Sequence, residues 1–131
     1  MVSQFKLHIP ANNFVDITQN VNELVSRTGI KNGTCVVTVL STSAALVFFE
    51  KDNKNAMQDV TAELDRIFSP RINYKSMGSP YGSSARSKSA FIGASKDMIV
   101  ADGHVYIGAQ RALYVVSFSE FESVELLVRC I

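Results

Sequence analysis

The order of strand and helix signals predicts an α+β domain built on a mostly antiparallel β-sheet, with two main helices packed on one side of it. Three observations lead there. Most of the chain is short segments of alternating or unbroken apolar residues, only two long stretches repeat apolar residues at helical spacing, and no internal repeat or interdomain linker appears. With 131 residues the chain has the usual length for one domain, spanning 1–131, and can bury a core without disulfides or metals.

The elements follow in order. "QFKLHI" alternates, with Phe5, Leu7 and Ile9 on one face and His8 on the other, until Pro10 stops the strand. "FVDI" gives a second short strand. Thr18 is placed to cap a helix whose stripe runs Val21, Leu24, Val25 and which ends at Gly29. "TCVVTVL" and "AALVFF" are apolar at nearly every position, which predicts central strands covered by helices on at least one face. From Asn53 onward Ala56, Val60, Leu64 and Ile67 recur at helical spacing, and the helix stops before Pro70. Residues 70–88, with two glycines and a serine cluster, read as a long loop running into a short helix over "SARSKSAFIG". "DMIVADGHVYIG" reads as strand and turn, and "RALYVVSF" and "SVELLVRC" as two closing antiparallel strands joined by the acidic "SEFE" turn.

Composition removes several function classes. A net charge of +1, with 19% charged residues, offers no basic field for nucleic acid and no acidic tail. Cys35 and Cys130 stand far apart with no CxxC spacing, which excludes a zinc ribbon or CxxC redox motif and leaves reduced core thiols. The only histidines, His8 and His104, are not clustered, so no metal site is expected. No apolar run approaches the roughly 20 residues that span a bilayer, and no signal-like segment opens the chain. The expectation is a soluble cytoplasmic protein without cofactor, nucleic acid or membrane.

The segment richest in candidate chemistry is "TVLSTSAALVFFE", in which the hydroxyl residues Ser41, Thr42 and Ser43 interrupt two apolar runs and Glu50 follows. A serine nucleophile needs an adjacent base, and neither histidine is placed to serve. Glu50 and Asp59 are candidate catalytic acids, or they only start and solvate a helix. Arg86, Lys88 and Arg111, with Thr42 and Ser43, are candidates for an anion cradle, in which cations sit among Ser and Gly donors. "SSARSKS" matches no P-loop spacing, and Arg86 and Lys88 read equally as a solvated loop face.

Together these segments resemble the YjbQ-like family, whose members include proteins described as secondary thiamine-phosphate synthases, over nearly the whole chain. The family's His-Thr-Ser-Ala turn, leucine and Asn-Glu correspond to "STSAALVFFE", which keeps Thr42, Ser43, Ala44, Leu46 and Glu50 but has Ser41 for histidine and Phe49 for asparagine. The family's helix acid corresponds to Asp59 and its Asn-Tyr pair to Asn73 and Tyr74, with Ser76 where histidine usually follows. Its His-Ile-Lys motif corresponds to "RSKSAFIG", which keeps Lys88 and Gly93 but has Arg86 for histidine. Its Gly-Thr-Trp-Gln signature corresponds to "GAQRALYVVSF", where Gly108, Leu113 and Phe118 match. Ala109, Gln110, Arg111 and Ser117 replace threonine, tryptophan, glutamine and glutamate.

The resemblance implies a pocket in which three histidines bind a metal or handle a phosphorylated substrate, and here all three have gone. Serine hydroxyls do not titrate near neutral pH, and arginine stays cationic and repels a metal ion. The reading preferred is a divergent, non-catalytic member that keeps the scaffold and an anion pocket for phosphate or sulfate. The alternative is an active phosphate-ester or thiamine-phosphate synthase-type enzyme working through the remaining acids and cations. Strands apolar on both faces, together with the resemblance, further imply a homo-oligomer, a trimer.

Overall fold

The computed structural model describes every residue except Met1, Met77 and Glu120. In chain order the elements are β1 (Ser3–Pro10), β2 (Phe14–Asp16), α1 (Thr18–Thr28), β3 (Gly33–Val39), β4 (Ala44–Glu50), α2 (Lys54–Ile67), α3 (Pro80–Ile92), β5 (Ser95–Ala101), β6 (His104–Tyr106), β7 (Arg111–Ser117) and β8 (Phe121–Cys130). They form a five-stranded sheet, β1-β8-β3-β5-β6, and a three-stranded sheet, β2-β7-β4. Every ladder between described strands is antiparallel. The α+β class with mostly antiparallel pairing is therefore what the chain adopts.

Two apolar clusters explain why the small sheet is apolar on both faces. Leu46 of β4 and Leu113 and Val115 of β7 join the larger cluster, together with Val21 and Val25 of α1, Val37 of β3 and Leu126 of β8. Ala45 and Val116, which alternate with them, join a second cluster with Leu64 of α2 and Ala85 of α3. Ala112 to Phe118 are buried without a break, so "RALYVVSF" loses the period-two signature that a one-sided strand would show.

The termini of α1 are refined by the structure. Thr18 is its first residue, not its cap, and the Asp16 carboxylate accepts from the Thr18 N–H at 2.9 Å. The Thr18 hydroxyl accepts from the Leu113 N–H at 2.9 Å and so ties the helix to β7. Gly29 ends the helix with φ 74°, the left-handed conformation that glycine adopts without strain. The Asn53 side chain caps α2, accepting from the Ala56 N–H at 3.0 Å.

The largest departure from expectation is α3. Residues 70–88 were expected as a loop with a short helix over 84–93, but helix begins at Pro80 and runs for 13 residues. It is a third helix, with Ser79 capping at 3.0 Å to the Gly82 N–H and Pro80 in the first turn. Its buried residues are Ser83, Ser84, Ala85, Lys88 and Ser89, so there is no stripe of large apolar side chains for periodicity to detect. Small residues let the helix approach β4 closely, and the Ser84 hydroxyl donates to the Phe68 carbonyl at the end of α2. Of the "SEFE" turn, Glu120 lies outside the described residues; β8 already runs from Phe121.

Candidate functional site

The hydroxyl turn of residues 41–43 leads into β4 and faces α3 across a groove of about 400 Å³. Ser41, Thr42, Arg86 and Ser89 supply its polar lining, and Ala44, Ala90, Gly93 and Ala94 the rest. The turn is fixed from several sides. The Ser43 N–H donates to Ser41 Oγ at 3.0 Å, Ser119 Oγ donates to Ser43 Oγ at 2.7 Å, and Ser89 Oγ donates to the Thr42 carbonyl at 2.7 Å. Backbone bonds complete the frame, from the Phe118 N–H to the Ser43 carbonyl at 2.8 Å and from the Leu46 N–H to the Gly93 carbonyl at 3.1 Å. The turn is thus a built feature that links α3 to the small sheet.

Arg86 is exposed on α3, and its Nη2 donates to Ser76 Oγ at 2.8 Å and Ser83 Oγ at 3.0 Å. Those two hydroxyls are 2.8 Å from one another. The guanidinium is therefore held in one orientation by neutral partners, which leaves its charge uncompensated by them. Ser41 and Arg86 line the same groove and Ser76 bonds to Arg86, so the three positions where the resemblance places histidines come together in space. Ser117 stands opposite Ala44 in the β4–β7 ladder, beside the same turn.

Other candidates are positioned differently. Lys88 is only 5% exposed, its Nζ paired with the Asp65 carboxylate of α2 and 5.6 Å from the centre of the Phe118 ring. Its charge is answered inside the protein. Glu50 and Arg111 face each other across β4 and β7 at the end remote from the hydroxyl turn, roughly 20 Å away for a seven-residue strand. There the Arg111 guanidinium stacks 4.7 Å from the Phe48 ring centre and its Nε donates to the Ile107 carbonyl at 2.8 Å. The Glu50 carboxylate accepts from Asn53 Nδ2 at 3.2 Å, next to the cap of α2. Asp59 is exposed on α2.

The acid that reaches α3 is Asp65, which sequence reasoning passed over. Its only signal is indirect: a lysine on a buried helical face needs a carboxylate from the element that covers it. His8 and His104 are exposed on β1 and β6, the opposite edges of the five-stranded sheet. Among the described residues no three His, Cys, Asp or Glu side chains are grouped to hold a metal ion.

The sequence matches the family profile "UPF0047 protein YjbQ-like" over residues 3–131. The chain belongs to the YjbQ-like family. Among its relatives, the UPF0047 protein YugU of Bacillus subtilis is 26% identical over 108 residues, covering 82% of this chain and 79% of YugU. A UPF0047 protein of Methanocaldococcus jannaschii is 26% identical over 121 residues, covering 90% and 84%. A crystal structure of a YjbQ/UPF0047 family protein from Clostridium acetobutylicum superposes with TM-score 0.90 at 25% identity, covering 98% of this chain and 99% of that one. A conserved hypothetical protein from Thermus thermophilus, at 22% identity and TM-score 0.84, shares the fold over 97% and 99% of the two chains. The YjbQ-like fold thus spans nearly the whole of this chain.

Proposed function

We propose that this chain is a divergent YjbQ-like protein that has lost the histidine-dependent chemistry implied by its family resemblance and uses the groove between the hydroxyl turn and α3 to bind a phosphate-like anion. The observation that supports this reading is the meeting of Ser41, Ser76 and Arg86, which brings a fixed cation and hydroxyls together without an imidazole. A guanidinium presents five donors in a planar fork suited to two oxygens of an oxyanion, and Nη2 already spends its donors on Ser76 and Ser83. Ser41 and Thr42 line the same groove, and in this reading their hydroxyls meet the remaining oxygens.

Calorimetry with phosphate or sulfate and then with zinc tests the order of affinity. Phosphate should bind, and Arg86→Ala should weaken it about 10- to 100-fold, the value of one or two charge-assisted bonds. Tight stoichiometric zinc binding would overturn the reading.

The same proposal makes the protein a cytoplasmic homotrimer. Val36, Ile99 and Tyr106 lie on one face of the five-stranded sheet, and Ile99 and Tyr106, direct cross-strand partners, are 68% and 74% exposed. Exposed apolar side chains of this kind, flanked on the same face by Asp97 and Arg129, are a patch that a second copy would cover. Light scattering at micromolar concentration should give three times the 14.4 kDa chain mass; a monomer alone removes the claim. No helix among the described residues is long and apolar enough to cross a membrane.

A further inference from the structure

Cys35 and Cys130 are direct partners in the β3–β8 ladder, and both are free thiols. Their neighbours Thr34 and Ile131 exchange both backbone hydrogen bonds, at 2.7 and 2.8 Å. Pairs alternate along an antiparallel ladder, so the cysteines occupy a non-hydrogen-bonded pair, where Cα atoms approach to about 4.5 Å. That separation falls inside the range of roughly 4.4–6.8 Å in which disulfides form without backbone movement. The two sulfurs lie 2.9 Å apart, Cys130 donating to Cys35, and need to close by about 0.9 Å to bond.

The two thiols differ in access. Cys35 is fully buried in the main core, whereas Cys130 is half-buried one residue from the end of the sequence. Desolvation, reinforced by the neighbouring Cys130, pushes the Cys35 thiol well above the usual cysteine range. Cys130 is therefore the thiol that meets an oxidant, and Cys35 the one that resolves the product.

We propose that Cys35 and Cys130 form a reversible disulfide when the protein meets a low-molecular-weight disulfide such as oxidised glutathione. The Cys130 thiolate attacks one sulfur of the reagent and expels a glutathione thiolate, leaving a mixed disulfide on Cys130. Cys35 then attacks Cys130 Sγ and expels the second glutathione as a thiolate, which takes up the proton that Cys35 loses. Two protein thiols are oxidised, one small disulfide is reduced to two thiols, and no other co-reactant is needed. The bond joins residues 95 apart in sequence and fastens the last strand to the centre of the five-stranded sheet. Its effect is to narrow the unfolded ensemble and suppress fraying of β8, raising the unfolding midpoint by about 5–15 °C.

The test incubates the full chain with oxidised glutathione, then alkylates it with N-ethylmaleimide in denaturant and measures the intact mass. The expected product has no alkylated thiol, a mass lower by two hydrogens, no glutathione adduct and monomer mobility on a non-reducing gel, all reversed by dithiothreitol. Cys35→Val, a core-compatible change, should arrest the reaction at a glutathione adduct on Cys130, and Cys130→Ser should leave Cys35 free of glutathione and alkylated once in denaturant. Two alkylated thiols in the unsubstituted chain, a persistent glutathione adduct on it, or a disulfide-linked dimer would overturn the proposal.

Discussion

Asp65→Ala should destabilise the protein by about 2–3 kcal/mol, measured as a shift in the urea midpoint at unchanged slope. Lys88 is the reason. Its side chain is 6% exposed, and removing the Asp65 carboxylate leaves an ammonium in the core without its counter-charge. Breaking a fully buried pair costs about 3–5 kcal/mol, but Asp65 is itself 49% exposed, so water can reach the vacated site and offset part of the loss. Lys88→Met alone strands a carboxylate that is already half in water and should cost about 1 kcal/mol or less. The double variant should recover most of what Asp65→Ala loses, because an apolar side chain of similar length fills the same space beside Phe118. If Asp65→Ala changes stability by less than about 0.5 kcal/mol, the pair does not fasten α2 to α3 and the groove wall is held by packing alone.

This pair also shows where the sequence stops being legible. Lys88 was readable as a cation near the hydroxyl turn, yet whether it faces the groove or the core depends on α2 crossing α3, 23 residues away in sequence. Arg111 was grouped with Arg86 by charge, but strand register places it opposite Glu50 at the far end of β4. A list of like residues carries no register. The first turn of α3 was read as loop because its buried face is serine and alanine with Lys88, whose burial leaves little hydropathy signal, although Ser79-Pro80 is a legible start. By contrast β1, α1 and α2 carry large apolar residues on one face and their periods were plain, although in α2 only Leu64 is buried and Ile67, read as part of the stripe, is 60% exposed. The Asp102-Gly103 turn between β5 and β6 was equally clear, since φ values of 52° and 80° suit those two residue types. The grouping of Ser41 and Arg86 on one groove came from correspondence with a family, because serine and arginine by themselves name no site.

In cells lacking the usual thiamine-phosphate synthase, this chain should fail to restore growth without thiamine. The hydroxyl turn is fixed by the bonds of Ser43, Ser89 and Phe118, but none of its side chains titrates near neutral pH. Loss of one general acid or base typically costs about 10²–10⁴ in rate, and at Ser41, Ser76 and Arg86 three such groups of the resemblance are replaced together. Ser41→His alone should not rescue growth. The new imidazole would share the groove with the Arg86 guanidinium, whose charge opposes both imidazole protonation and metal binding, and Ser76 and Ser117 would still lack their family counterparts. Restoring histidine at 41, 76 and 86 with glutamate at 117 tests whether the scaffold itself still supports the chemistry. Growth restored by the unsubstituted chain would sink the non-catalytic reading. The working groups would then have to be sought among Glu50, Asp59 and Lys88, of which Lys88 is tied to Asp65 and Glu50 lies at the far end of β4, so that a second site away from the groove would follow.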